Sequence, residues 1–273
     1  FQGEILARLE TGGSPEARVW LREFPIDENS VRAIVRLFDE QIRYAGPESI
    51  STEDRLVIEV ERDREEYERR YYVHSTYGRR FNDGLSRLLA YHVAREATAN
   101  VQVAVADNGC TLSMPLNRKV NLVDIIESLD PETIRADLRA SLDGTDLLDR
   151  YFRINATRSL MILKRYKGYE KSASEQQVNS EMLLGFAQEL TDFAVIEETY
   201  REILEDKLDV HAIESVVESI QAGKIEVHSH RVDSPTPRSF GLATLMASDV
   251  VLAADESAVL KEFHERVKNA ISE

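Results

Sequence analysis

The sequence has 273 residues, with 49 acidic against 34 basic side chains, a formal net charge of −15. This length corresponds to about two average domains or one large one, and its apolar runs are far shorter than the ~20 residues that span a membrane. The acidity excludes a protein that coats nucleic acid nonspecifically, because a polyanion repels such a chain overall.

The first part of the chain combines helical periodicity with two hairpin patterns. Phe1–Gly3 are typical of the remnant of a protease-cleavage tag. Asp27 or Asn29 is the expected N-cap of the second helix, and Asp107-Asn108-Gly109 is a hairpin turn signal. The predicted elements are a helix over 4–24 broken at 12–15, a helix over 27–42, strands over 56–60 and 71–74, a helix over 81–95, and strands over 101–105 and 111–116.

The second part is mainly helical. Apolar residues at a period near 3.6 predict helices over 123–129, 131–142, 147–163, 174–190, 195–208 and 209–221. An isolated strand is predicted over 225–228, followed by a proline-containing loop over 233–237 and short helices over 240–246 and 257–271. We therefore predict an α+β fold, with a small antiparallel sheet from two hairpins and a mainly helical second half. The expected division is 4–120 and 121–273, or one continuous domain.

The sequence contains none of the common catalytic motifs. It has no G-x-x-x-x-G-K-[ST] loop for nucleotide phosphates and no G-x-S-x-G turn. His228 and His230 have no partner at zinc-like spacing, so core or surface histidines are the favoured interpretation. Cys110 is the only cysteine, so no internal disulfide can form, which favours a reducing, cytoplasmic location. No histidine lies near it in the sequence, which disfavours a role as a nucleophile. No catalytic residue, metal or cofactor is predicted for this chain itself.

One segment stands out against the acidic background. Between residues 150 and 171, seven basic residues face a single acid, and tyrosines and phenylalanine are interleaved with them. Basic side chains neutralise phosphates, while aromatic faces stack on unpaired bases. A smaller cluster follows the turn at Gly78. The predicted nucleic-acid-binding residues are Arg79, Arg80, Arg150, Arg153, Arg158, Lys164, Arg165 and Tyr166.

The alternative interpretation of the 150–171 segment is a buried helix with arginines on its solvated side. Phe152, Ala156 and Leu160 are typical of a core face, and Arg158 has many carboxylates available for pairing. If Arg150, Arg153 and Arg158 are all held in ion pairs, a bracing role is favoured. Unpaired arginines along one open groove would instead favour strand binding.

Seven motifs in order resemble the region that follows the helicase core in large helicase-related (Lhr) proteins, over about residues 17–270. The resemblance is closest to the archaeal branch and its DEAD/H-associated region. The motifs are His74-Ser75-Thr76-Tyr77-Gly78-Arg79-Arg80-Phe81-Asn82, Asp107-Asn108-Gly109, Arg150-Tyr151-Phe152-Arg153-x-x-Ala156-x-Arg158-x-Leu160, Gln176-Gln177 with Glu198-Thr199-x-Arg201-Glu202-Ile203, Gly223-Lys224-Ile225-Glu226-Val227, Ser234-Pro235-Thr236-Pro237, and Ser248-Asp249-Val250-Val251-Leu252.

This resemblance implies an accessory domain of a superfamily 2, ATP-dependent 3′-to-5′ DNA helicase with a suspected role in DNA repair. In such proteins two RecA-like domains bind ATP and magnesium, a winged-helix domain follows, and the resembled region helps to hold the tracking strand. The implied partners are single-stranded DNA or an RNA–DNA hybrid, and the RecA-like and winged-helix domains of the same polypeptide. Because this sequence lacks those domains, no helicase activity is expected of it alone. The only tryptophan, Trp20, lies outside the matching helices and is given no base-stacking role.

Three functions follow as hypotheses. The first is contact with the tracking single strand, in support of translocation and unwinding. The second is a structural or protein-interaction module that braces the helicase core without touching nucleic acid. The third, a free-standing enzyme, is disfavoured because no catalytic constellation is present.

Overall fold

The computed structural model describes residues 1–163, 165–166, 168–170, 172–190 and 192–250. The predicted helix over 257–271 lies outside these residues. None of the described helices is long and apolar enough to cross a membrane. The elements are α1 (Gln2–Leu21), α2 (Glu28–Ala45), β1 (Arg55–Asp63), β2 (Glu68–His74), α3 (Arg79–Ala97), β3 (Gln102–Ala106), β4 (Gly109–Pro115), α4 (Leu122–Glu127), α5 (Ile134–Leu142), α6 (Asp146–Arg158), β5 (Arg165–Tyr166), β6 (Tyr169–Glu170), α7 (Ala173–Glu189), α8 (Ala194–Arg201), a π-helical segment (Glu202–Lys207), α9 (Val210–Gln221), β7 (Glu226–Val232) and α10 (Phe240–Val250).

Local signals in the sequence explain where several helices begin and bend. The Asp27 carboxylate accepts hydrogen bonds from the backbone N–H groups of Asn29 and Ser30, which confirms Asp27 as the N-cap of α2. Thr145 caps α6 in the same way. The predicted break in the first helix is a kink at Gly13, whose positive φ of 67° suits glycine.

The centre of the fold is a five-stranded mixed sheet in the order β3-β4-β2-β1-β7. The two predicted hairpins form its antiparallel part. The prediction of an isolated late strand was wrong, because β7 pairs with β1 in parallel, with Leu56 opposite Val227. The α+β class is therefore confirmed, and a strand from the second part of the chain completes the sheet of the first.

The two faces of this sheet differ in chemistry. Successive side chains of a strand point to opposite faces. On β1, Leu56 and Ile58 join the main hydrophobic core, whose buried residues lie between Leu56 and Ile225 and include much of α3. The opposite face holds buried Glu59 and Glu61 from the same strand. The sheet is thus apolar towards α3 and polar towards α2 and the loop that follows β7.

The Glu59 carboxylate is fully buried on the polar face. It accepts hydrogen bonds from Gln41 Nε2 at 3.0 Å and from Thr236 Oγ1 at 2.9 Å. His74 Nε2 lies 3.4 Å away on β2, and His230 Nε2 lies 3.7 Å away on β7. Burial opposes ionisation of Glu59, but the charge that His74 can carry and the surrounding donors outweigh it, so the pKa of Glu59 is lowered.

Helix α3 approaches the end of the π-helical segment very closely. A Cβ atom on Gly84 would overlap the backbone carbonyl oxygen of Leu208 and Cδ1 of Ile213. Glycine therefore occupies this buried helical position despite its low helix propensity, because no other side chain fits between the two elements.

We expect Gly84→Ala to destabilise the fold by about 1–3 kcal/mol, because the added methyl group meets backbone atoms that cannot move cheaply. The matched control is Gly185→Ala on α7, where a Cβ meets no atom within 4 Å. Helix propensity should make that change neutral or stabilising by about 0.5–1 kcal/mol. Urea unfolding of both variants measures the difference, and equal effects would contradict the packing argument.

The protein is expected to lose stability as the pH falls below about 6.5, the ordinary pKa of histidine. Burial lowers the pKa of His74 in the folded state, so the unfolded chain takes up a proton there that the folded protein does not. The pKa of Glu59 is also lowered in the folded state, so protonation of this carboxylate reduces the free energy of unfolding further at more acidic pH. Unfolding free energies at pH 7.5 and 5.5 should differ less in His74→Gln than in the wild type, and an unchanged difference would refute the assignment.

Candidate nucleic-acid interface

The smaller basic cluster lies at the start of α3. Gly78 precedes the helix with a φ of +87°, and Arg79 and Arg80 are its first two residues, both exposed. Arg80 Nη2 donates a hydrogen bond to the backbone carbonyl oxygen of Glu205 at 2.7 Å. Arg79 has no hydrogen bond or ion pair within the described part of the chain, so its guanidinium is available to a ligand.

The larger cluster begins on α6, whose buried face contains Leu148, Phe152 and Ala156. Arg150 and Arg153 are one turn apart on the other side of this helix. The Arg150 guanidinium lies 5.6 Å from the ring centroid of Tyr151. Neither arginine forms an ion pair with any residue that the structure describes. The solvent-facing side expected of this helix is therefore present, and Arg150 and Arg153 lie on it without ion pairs.

The remaining residues of the larger cluster differ in their contacts. Arg158 Nη1 pairs with Glu202 Oε1 at 2.8 Å, and Arg165 Nη2 pairs with Glu170 Oε2 at 3.0 Å across the short β5–β6 hairpin. Tyr166 belongs to β5, but its side chain, like the whole of Lys164, lies outside the described residues. The criterion set from the sequence, whether Arg150, Arg153 and Arg158 are all ion-paired, is met only in part. Arg158 is paired with a carboxylate, whereas Arg150 and Arg153 are not.

The π-helical segment Glu202–Lys207 joins the two clusters. Arg158 contacts its first residue, and Arg80 contacts the carbonyl of Glu205 one turn later. Lys207, at its end, pairs with Asp83 of α3 at 3.3 Å. The structure therefore brings the start of α3 and the end of α6 to neighbouring positions, although Arg79 and Arg158 are 79 positions apart in the sequence. π-Helical turns inside helices are frequent at functional sites.

Sequence reasoning missed the residues that organise this surface. Glu202 was named only as part of a family motif, and Glu205 was not singled out among the many acids of the chain. Arg87 was also missed, although its spacing from Asp83 on α3 is the i, i+4 spacing of a helical ion pair, which forms at 3.0 Å. That spacing was the one available signal, because the contacts with Glu202 and Glu205 are long-range.

The described residues include no group of three or more histidine, cysteine, aspartate or glutamate side chains that could hold a metal ion. His228 is paired with Glu226 at 2.9 Å, and His230 faces Glu59. Burial raises the pKa of the Cys110 thiol to about 12, so the thiolate needed for nucleophilic attack is not formed at neutral pH.

Fold and surface together define an α+β domain that presents basic side chains from two adjoining helices. The chain belongs to the DEAD/H-associated family, whose model matches residues 50–239. This range begins just before β1 and ends at the loop that covers Glu59, so it contains the whole five-stranded sheet.

The relatives that the chain matches are Lhr-type helicases. ATP-dependent helicase Lhr-Core protein 2 of Thermococcus barophilus is 36% identical over all of this chain and 31% of the relative. ATP-dependent helicase Lhr-Core of Methanocaldococcus jannaschii is 35% identical over 92% of this chain and 29% of the relative. The chain thus spans less than a third of the length of these curated relatives and corresponds to an accessory domain within them.

A solved structure shares the fold. Mycobacterium smegmatis helicase Lhr, bound to ssDNA and AMP-PNP, superimposes with a TM-score of 0.75 over 89% of this chain and 30% of that protein, at 22% identity. The resemblance to Lhr proteins drawn from the motifs is confirmed. The eight predicted binding residues stay predictions.

Asn155 and Arg158 are neighbours on α6 that should differ in their effect on stability. Asn155 Nδ2 is buried and donates to Thr199 Oγ1 at 3.3 Å and to Glu202 Oε2 at 3.0 Å. Asn155→Ala should therefore cost about 1–3 kcal/mol. Arg158 is 66% exposed, so Arg158→Ala should cost less than about 1 kcal/mol. Chemical denaturation of both variants checks this order, and the reverse order would refute it.

Proposed function

We propose that this domain contacts the single strand along which an Lhr-type helicase moves 3′ to 5′, and so supports translocation and unwinding. The observation that carries the proposal is a set of arginines without ion pairs, two of them exposed and Arg153 half-buried, in a chain of net charge −15. Arg79, Arg150 and Arg153 have no carboxylate partner among the described residues, although 49 acidic side chains are available in the sequence. Such a surface attracts a polyanion locally, even though the chain as a whole repels it.

A strand held in this way has to slip forward with each catalytic cycle. Arginines that contact phosphates without base-specific hydrogen bonds allow such movement, because every nucleotide offers the same backbone. ATP and magnesium would bind to RecA-like domains of the longer polypeptide, since this sequence has no P-loop. An RNA–DNA hybrid as substrate, a role in repair and a cytoplasmic location are further proposals from the family resemblance.

A second candidate function is that of a brace between domains. Helix α7 exposes an apolar stripe formed by Val178, Met182 and Phe186, spaced four residues apart, and Leu190 continues it beyond the helix end. A row of exposed apolar side chains on a helix is typical of a surface covered by another protein element. This stripe is compatible with strand contact elsewhere on the domain, so the two functions can coexist.

The test measures binding of an oligothymidylate to this chain as a function of salt. The triple variant Arg79→Ala, Arg150→Ala, Arg153→Ala should bind more weakly, and the slope of log K against log salt should fall by about 2, since each phosphate contact contributes about 0.7 for single strands. The charge-matched control is Arg32→Ala, Arg36→Ala, Arg43→Ala on exposed positions of α2, which should keep the wild-type slope.

Two outcomes would contradict strand contact. One is equal binding and equal slope in both triple variants, which would show that attraction is not local. The other is no measurable binding of the folded wild-type chain at low salt, which would leave the brace as the supported function.

A further inference from the structure

A cleft opens between α3, β3 and α5, beside the start of α3. Its volume is about 420 Å³, within the range of about 300–1,000 Å³ typical of small-molecule sites. The lining combines small or apolar side chains with a few polar ones. The residues are Asp83, Ser86, Arg87, Ala90 and Tyr91 from α3, Val103 and Val105 from β3, and Ala140 and Ser141 from α5.

The cleft has an apolar wall and a charged end. Val103 and Val105 are i, i+2 neighbours on an edge strand, so both point to the same face, and both remain partly exposed. At the charged end, Asp83 is held by Arg87 at 3.0 Å and by Lys207 at 3.3 Å. Two cations against one carboxylate leave this end with a net positive charge.

We propose that this cleft receives one unpaired nucleobase of the bound strand. A nucleobase has two apolar faces and a polar edge, which match the valine wall, the Tyr91 ring and the ion-paired end. Because the Arg95 guanidinium lies over the Tyr91 ring at 5.2 Å from its centroid, the base would stack on the opposite ring face. Base stacking on aromatic side chains tolerates any sequence, since every base has a π-face. The proposal rests on the strand contact proposed above and adds a site for the base, which the arginines alone do not provide.

The phosphate attached to such a base has a cation within reach. Arg79 lies one turn before Asp83 on α3, and Arg87 lies one turn after it. Arg79 is exposed and unpaired in the described part of the chain, so it is free to neutralise a phosphate at the mouth of the cleft. The cleft thus suits a nucleotide, either free or within a strand. Because it lies beside the basic start of α3, we assign it to a nucleotide within a strand.

The experiment compares binding of an oligothymidylate with binding of a fully abasic oligomer of the same length. Their affinity ratio measures the contribution of the bases, and for the wild-type chain it should lie at about 5- to 150-fold. Ala140→Trp, which fills the cleft from α5, should bring the ratio close to one without changing the affinity for the abasic oligomer. Ala136→Trp, one turn earlier on the same helix and not in the cleft, should keep the wild-type ratio.

A second variant tests the same site in case Ala140→Trp does not fold. Tyr91→Ala removes the ring and opens the cleft, and it should lower the ratio in the same direction, with folding of each variant checked by thermal unfolding. An unchanged ratio in folded Ala140→Trp and Tyr91→Ala would overturn the base site while strand contact stands. Failure of the wild type to bind either oligomer would instead overturn the proposed function.

A final arm separates a strand from a free nucleotide. Thymidine monophosphate should compete with the oligothymidylate at least tenfold more weakly than unlabelled oligothymidylate does, because it lacks the neighbouring phosphates. Competition of equal strength per molecule would overturn assignment of the cleft to a strand.

Discussion

The buried carboxylate of Glu59 determines which distant parts of the chain must meet. A carboxylate removed from water without partners costs several kcal/mol, so its donors are obligatory. The hydrogen-bond donors are Gln41 on α2 and Thr236 in the loop that follows β7, and the imidazoles of His74 on β2 and His230 on β7 lie 3.4 and 3.7 Å from the carboxylate. The same group therefore positions α2, two strands of the sheet and the approach to α10. The family match ends on this loop, at residue 239, as expected if the loop is part of the folding unit.

The sequence predicted those features whose cause is local. Alternating side chains and the Asp107-Asn108-Gly109 turn define the hairpins within a few residues, and both hairpins are present. The pairing of β7 with β1 was missed because a parallel partner carries no local signal and is chosen by tertiary packing. Glu59 was missed for the same reason, since burial cannot be recognised in a chain with 49 acids. For the basic helices, composition located the arginines, but only the structure separates paired Arg158 from unpaired Arg150 and Arg153.

Whether a basic side chain of this domain is available to a ligand depends on its ion pairs and hydrogen bonds, and not only on how many basic residues a segment contains. Glu202 of the π-helical segment pairs with Arg158, and the backbone carbonyl of Glu205 accepts a hydrogen bond from Arg80, so this segment contacts both α6 and α3. Arg79, Arg150 and Arg153, which have no ion pair within the described part of the chain, lie on the same two helices. This arrangement would let a strongly acidic protein present the local surface for a polyanion that we propose.

The parallel pairing of β1 with β7 also has a consequence for synthesis of the chain. Arg55 and Glu226 are paired although 171 positions separate them. At translation rates of about 5–20 residues per second, β1 waits roughly 10–30 s for its partner strand. During that interval its outer edge and the Glu59 carboxylate face solvent or chaperones. β1 carries charged residues such as Glu59 and Glu61, whose burial costs stability in the folded protein. Before β7 is synthesised, these charges keep the exposed strand edge soluble and discourage its pairing with other chains.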